Sequence, residues 1–338
     1  MVNTIKSECL EKYILGRSFQ IPREDGITEN YDLFIFCCGW ESRCTEVINY
    51  DKGDFQFNSA AIISFNLGDV LGYNREYMDL LVSFSTRKTT KLIFLNHEPT
   101  DLDAIIYDID KMIADLVKDL ERPINIGMDI TCCPRFVFLH LLGYCLRNNA
   151  AKEISFFYSE GIYETSPKEY VHTKGNWKII EIPGLEARDL KLNKKLFVVS
   201  AGWEGNRYRS IVAKYEPDHL GILLPDPGFN SDYVYKSREE CKPLIEDYNL
   251  GNDAIVSAPA GDAIAAWKVL KAPSLNMIDH HIAYLTFGPK PHSLAMGIRG
   301  FLYDAISVIY RIPEEYIKIE VKPNGVLWRY DIKNLLFI

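Results

Sequence analysis

The sequence predicts an α/β protein built from two tandem Rossmann-like units, each with a doubly wound, mainly parallel sheet. Three observations predict it. Continuous apolar runs of five or six residues, the signature of strands buried on both faces, alternate with longer amphipathic stretches. A Gly-Trp-Glu tripeptide ends an early apolar run in both halves of the chain (Gly39 to Glu41 and Gly202 to Glu204). A second strand-end motif also recurs, in the same order and with matching apolar runs in between, as an internal duplication would leave it. The 338 residues, 47% of them hydrophobic, can supply two domains of roughly 150 residues each.

Taken in order, residues 1–30 form an N-terminal extension. Unit A spans 31–165. Its first strand is Leu33 to Cys38, followed by Gly39, Trp40, Glu41, Ser42 and Arg43. Ala60 to Phe65 and Ile124 to Asp129 are further strands. Tyr77 to Phe84, Leu102 to Leu120 and Phe136 to Leu146 have helical periodicity, and Ile154 to Tyr158 closes the unit. Residues 166–195 contain Pro167, Pro183 and Gly184 and read as a linker or extended crossover, with a strand over Trp177 to Ile182. Unit B spans 196–338. Leu196 to Ala201 leads into Gly202, Trp203, Glu204, Gly205, Asn206 and Arg207. Leu220 to Leu224 matches Ala60 to Phe65, and His281 to Leu285 matches Ile124 to Asp129. Helices are expected over Ser237 to Tyr248, Asp262 to Leu270 and Leu294 to Tyr303. Ile317 to Val321 reads as the closing strand.

Charge and composition exclude several classes. Lys plus Arg total 38 against 46 for Asp plus Glu, a net charge of -8, which is wrong for a general DNA or RNA coat. No apolar run reaches the 18 to 20 residues or so that a membrane-spanning helix needs. Met1 to Glu11 lacks the apolar core of a secretory signal, so a cytoplasmic protein is expected. Eight cysteines in 338 residues fit reduced thiols better than a disulfide scaffold.

The paired motifs carry the functional expectation. Both sit where a strand ends and a helix begins. There, backbone N–H groups and the helix dipole favour an anion, and open α/β sheets bind ligands. Thr131 to Thr286, Pro134 to Pro289 and Arg135 to Lys290 share one offset. Arg43, Arg135, Arg207 and Lys290 bring positive charge to the same rim, and Gly288 of the second loop is a further candidate for ligand contact. Trp40 and Trp203 can stack on a base, and Glu41 and Glu204 can accept from ribose hydroxyls. The plainer alternatives stay open: tryptophans as core lids, Glu–Arg pairs as ordinary salt bridges, Thr131 as a helix cap. Neither G-x-x-x-x-G-K-[ST] nor G-x-G-x-x-G follows a strand, so a Walker site and conventional NAD binding are not expected. Cys37, Cys38, Cys132 and Cys133 lack C-x-x-C spacing, so no metal and no cofactor is expected. Asp129 and His292 are the candidates for acid–base work.

Asp129, Ile130 and Thr131 resemble the strand-end motif of CARF domains, Rossmann-like sensors of cyclic oligonucleotides in CRISPR-linked defence. That family has Asp-[Ile/Leu]-Thr, then Gly-Gly-Thr-Lys, then a helix. Here Cys132, Cys133, Pro134 and Arg135 stand in the last four places. The second copy (Thr286, Phe287, Gly288, Pro289, Lys290) keeps a glycine and the lysine and has Ala283, Tyr284 and Leu285 in front of it. Two such units in one chain also resemble SAVED sensors. The resemblance implies ligand contacts from the loop after the first strand and from this later loop. It also implies an effector partner chain and a role in antiviral defence. Three functions stay open at this point: a nucleotide-binding sensor or regulatory subunit, an enzyme acting on a nucleotide or phosphorylated metabolite, and a scaffold with a vestigial site.

Overall fold

The computed structural model describes residues 6–11, 14–65, 71–163, 173–189, 191–334 and 336. The chain divides into two compact units, Met1–Glu164 with Lys318–Ile338, and Thr165–Ile317. Each is an α/β unit around a mainly parallel sheet, as the apolar runs predict.

The strands of unit 1 are β1 (Lys6–Glu11), β2 (Ile14–Ile21), β3 (Asn30–Cys38), β4 (Gln56–Phe65), β5 (Leu92–His97), β6 (Ile124–Asp129) and β7 (Ala151–Tyr163). A 3₁₀ helix (Ser42–Tyr50) follows β3, and α1 (Leu71–Lys88), α2 (Leu102–Leu120) and α3 (Arg135–Arg147) follow β4, β5 and β6. Unit 2 begins with β8 (Thr173–Glu181) and continues with β9 (Lys194–Ser200), β10 (His219–Pro225), β11 (Ile255–Ala258), β12 (His280–Thr286) and β13 (Ile306–Tyr316). Its helices are α4 (Gly205–Tyr215), α5 (Ser231–Asp247), α6 (Ala263–Val269) and α7 (Lys290–Leu302). The last strand, β14 (Val321–Asn334), returns to unit 1.

The sheets run β1-β2-β14-β7-β6-β3-β4-β5 and β11-β10-β9-β12-β13-β8. With the β1–β2 extension removed, the two orders are identical: third, second, first, fourth and fifth parallel strands, then one antiparallel strand. In each unit the switch point lies beside the first strand, β3 or β9. The strands are apolar at successive positions because both faces are covered. Phe34 and Phe36 pack with Ala60, Ile62 and the α1 residues Leu81 and Phe84. Leu33, Ile35, Ala61 and Ile63 on the opposite face are just as buried. In unit 2, Phe197, Val199, Ile222 and Leu224 pack against Tyr208, Ile211 and Val212 of α4 and Cys241 and Leu244 of α5.

The observed division departs from the expected boundaries in four ways. The 166–195 linker holds β8, an edge strand paired antiparallel with β13. The 1–30 extension holds β1 and β2, which widen sheet 1. The closing strand of unit 2 is Ile306–Tyr316, not Ile317 to Val321. Residues 318–338, expected in unit B, join unit 1, where β14 stands between β2 and β7. A buried ionic group fixes β14 there. Arg329 is 3% exposed and donates from Nε to Asp331 Oδ1 at 2.6 Å, and it also pairs with Glu29. Asp331 is fully buried; it accepts from Ser155 Oγ at 2.7 Å and pairs with Arg17 at 2.7 Å. Helices α1 and α5 begin six residues before the expected Tyr77 and Ser237.

Candidate functional site at the strand ends

The two repeated motifs meet inside each unit. In unit 1 the loop after β3 lies against the loop after β6. A Cβ on Gly39 would come within 2.7 Å of the Cys132 Cβ. In unit 2 a Cβ on Gly202 would meet the Phe287 carbonyl oxygen at 2.6 Å, and one on Gly288 would meet the Ala201 carbonyl oxygen at 2.7 Å. These glycines therefore serve close loop-to-loop packing at the switch point.

Helices α3 and α7 both have 13 residues. Their N-caps, Pro134 (φ -57, ψ 141) and Pro289 (φ -57, ψ 148), share one conformation and make no side-chain cap. Arg135 and Lys290 open these helices and are half-buried. The threonines do structural work. Thr131 Oγ1 accepts from the Ser159 backbone N–H at 2.9 Å, and Thr286 Oγ1 donates to the Ile309 carbonyl at 3.1 Å. Each fastens the fourth-strand loop to the fifth strand.

The two acid–base candidates turn inward. Asp129 is 1% exposed, and its Oδ1 accepts the Thr131 backbone N–H at 2.8 Å. His292 is fully buried in the first turn of α7, with Nε2 at 3.1 Å from the Pro259 carbonyl oxygen. Burial pulls its imidazole down to about 4, so it is neutral near pH 7.

The glutamates of Gly-Trp-Glu both hold a buried arginine, but the arginines come from different elements. In unit 1, Glu41 Oε2 accepts from Arg43 Nε at 2.9 Å and from Nη2 at 2.5 Å, and Arg43 Nη1 donates to the Ser159 carbonyl at 3.0 Å. In unit 2, Glu204 Oε2 accepts from Arg311 of β13 at 2.8 Å, and Oε1 accepts from Thr173 Oγ1 at 2.8 Å. The Arg311 guanidinium lies over the Trp177 ring and 4.8 Å from the centre of the Phe287 ring. The side chain of Arg207, expected in this role, lies outside the described residues. Register explains the exchange. Phe157 pairs with Asp129 and Val308 with Tyr284, so Glu160 and Arg311 occupy the same place on the fifth strand. Glu160 is bound instead to Trp328 Nε1 at 2.5 Å and Asn324 Nδ2 at 2.7 Å, and burial raises its carboxyl.

The tryptophans differ most. Trp40 Nε1 donates to the Ile319 carbonyl at 3.1 Å, and Glu320 Oε1 accepts both the Ser42 backbone N–H at 2.9 Å and Ser42 Oγ at 2.6 Å. The start of the 3₁₀ helix thus holds a carboxylate from the chain itself. In unit 2, Trp203 Nε1 donates to the Tyr233 carbonyl at 3.2 Å, with the two rings 4.9 Å apart. Lys236 Nζ stands 5.6 Å from the centre of the Trp203 ring, and the residue is 7% exposed. Burial lowers its ammonium pKa, against the pull of Glu240 and Glu204. Glu204, committed to Arg311 and Thr173, does not cap α4.

Arg311, Tyr233, Lys236 and Glu320 were not singled out from the sequence. Arg311 was legible as the one charge inside the apolar run Ile306 to Ile312. Lys236 sits in a polar helix and gives no such signal. The Cys132 thiol is raised well above its ordinary value by a hydrogen bond to the Cys44 thiol and by burial. Among the described residues no group of three or more His, Cys, Asp or Glu side chains is arranged to hold a metal ion, and no helix is long and apolar enough to cross a membrane.

No protein-family model matches the sequence, and no curated protein is significantly similar to it. A solved structure described as a functionally unknown protein, PA1789, from Pseudomonas aeruginosa PAO1 is 7% identical, with a TM-score of 0.23. That alignment covers 83% of this chain and 92% of the other.

Proposed function

We propose that the chain is a cytoplasmic nucleotide-binding sensor or regulatory subunit, and that unit 2 takes the ligand beside Trp203. The observation that carries this reading is Lys236: a cation 7% exposed, held near an aromatic face at the start of a helix whose N-cap side chain is engaged elsewhere. The charged form of a buried lysine with a lowered pKa is favoured by an approaching phosphate. The first-turn N–H groups of α4 have no intrahelical acceptors and add their dipole. A base stacked on an aromatic ring contributes about 1 to 3 kcal/mol. Unit 1 answers the same requirement internally through Glu320. The common strand order and the paired motifs support an origin by internal duplication. The resemblance to CARF and SAVED sensors supports a signal of oligonucleotide type, an effector partner and a place in antiviral defence. Asp129 and His292 both face inward, which favours binding over turnover.

Calorimetric titration with a nucleoside triphosphate, linear oligoadenylates and cyclic oligoadenylates tests the reading. The expected result is binding of at least one, weakened tenfold or more by Lys236→Ala and by Trp203→Ala. A ligand at 100 times its Kd would also stabilise the chain by about 2.7 kcal/mol. Absence of binding to every member of the series, or full affinity in Lys236→Ala, overturns it.

A further inference from the structure

Each sheet ends on its third parallel strand, β5 in unit 1 and β11 in unit 2. The two edges differ. Strand β11 has four residues, exposes Ser257 and is followed by Pro259. A short edge strand with a polar outward residue and a proline behind it discourages pairing. Strand β5 has six residues and exposes Phe94 at 56%.

Register shows which backbone groups of β5 face out. The Ala60 N–H donates to the Lys91 carbonyl at 2.9 Å, and Ala60 stands opposite Leu92. Lys91, Ile93 and Leu95 therefore turn toward β4, and Leu92, Phe94 and Asn96 turn their N–H and C=O groups to the open edge. Among the described residues no strand pairs with them. Phe94 shares a face with Leu92, which packs against the cluster that holds Leu81 and Phe84 of α1, so the edge is apolar on that face.

The charges flanking β5 are sorted by sign. Arg87 and Lys91 are exposed on its N-terminal side, and Glu98, Asp101 and Asp103 are exposed on its C-terminal side. Lys91 makes a surface pair with Asp119 at 3.7 Å, a contact that holds it weakly. A second β5 running parallel would set like charges against like. One running antiparallel sets each basic end against an acidic end. The net charge of -8 repels a second copy at long range, so self-contact requires local complementarity of this kind.

We propose that β5 is a self-association surface, pairing antiparallel with β5 of a second copy across a twofold axis and joining two eight-stranded sheets into one. The occupant is a second copy because the charges around β5 complement themselves when the strand is reversed. Phe94 then packs against its own counterpart. Lys91 of each copy comes within the ~10 Å Debye length of Glu98 in the other.

Sedimentation velocity of the full chain is the test. The wild type is expected to dimerise, and Phe94→Lys to raise the dimer Kd by about tenfold or more. Lys91→Glu brings carboxylates face to face across the seam, and Glu98→Lys brings ammonium groups face to face, so each alone is expected to weaken the dimer. An equimolar mixture of these two variants is expected to recover it as a mixed dimer, which requires that both fold and that the seam is antiparallel. A pure chain that stays monomeric at every attainable concentration, as it would if the edge served a different protein, overturns the proposal. So does a dimer indifferent to Phe94→Lys, or a failure of the two charge variants to recover on mixing.

Discussion

The loops Gly39 to Arg43 and Gly202 to Gly205 leave the same strand of the same sheet order, yet they solve different problems. The first is closed by its own chain: Glu320 holds Ser42, Ile319 holds the Trp40 indole, and Arg43 returns to Glu41 from two residues away. The second brings its arginine from a distant strand and sets a buried lysine near its tryptophan. A glutamate at the end of the first strand therefore specifies a buried guanidinium, and the source of that guanidinium is free to change. Where the chain supplies every partner, the loop is a structural clasp. Where a buried cation stays near an aromatic face, the loop is the one proposed above to take a guest.

The largest test of this contrast removes residues 318–338. Unit 2 keeps all its strands within Thr165–Ile317, whereas unit 1 loses β14 from the interior of its sheet, together with Arg329, Asp331 and the Glu320 clasp. The loss should exceed the 5 to 15 kcal/mol that ordinarily stabilises a domain. Hydrogen exchange is expected to show β2 and β7 unprotected while β9, β10 and β12 stay protected. Persistent protection of β2 and β7 would mean that the clasp is dispensable.

Replacing either glutamate comes next. Glu41→Gln and Glu204→Gln each strand a buried guanidinium; the paired side chains are 6% and 16% exposed in unit 1 and 6% and 11% in unit 2. Each should cost about 3 to 5 kcal/mol in urea unfolding. Only Glu204→Gln should also change nucleotide affinity. Equal effects of the two on affinity would erase the distinction between clasp and guest site.

Acid gives the smallest of the three effects. Unit 2 has His292 at the third position of α7, where α3 has the apolar Val137. The unfolded imidazole titrates near its ordinary 6.5, the buried one near 4. Between those values the unfolded chain binds a proton that the native chain refuses. Stability should therefore fall as pH drops from about 6.5 to about 4, by about 3 kcal/mol in all. Urea midpoints across that range should fall for the wild type and flatten in His292→Gln. A wild-type midpoint that stays level would show that the imidazole is not held neutral.

Much of this was legible in the primary structure. Ile124–Asp129 and Leu102–Leu120 have the bounds that periodicity gave them, because each is a complete apolar run or amphipathic period between clear breaks. The paired Gly-Trp-Glu motifs fall on equivalent strands, since a buried parallel strand followed by a tight turn is written locally. Lys236 was not legible, since a lysine on a polar helix reads as solvated until packing is known. Nor was the role of Glu320, which depends on a contact 278 residues away.

The amino-acid order alone determined the α/β class, the two-unit plan and the meeting of paired loops at the strand ends, because these follow from local hydrophobic period and turn chemistry. Only the tertiary structure decided that β14 belongs with the first unit, which arginine each glutamate holds, and that Lys236 is buried near the Trp203 ring. Those outcomes depend on pairings between residues far apart in the chain, and the energy of a buried charge is set by what surrounds it, not by its neighbours in sequence.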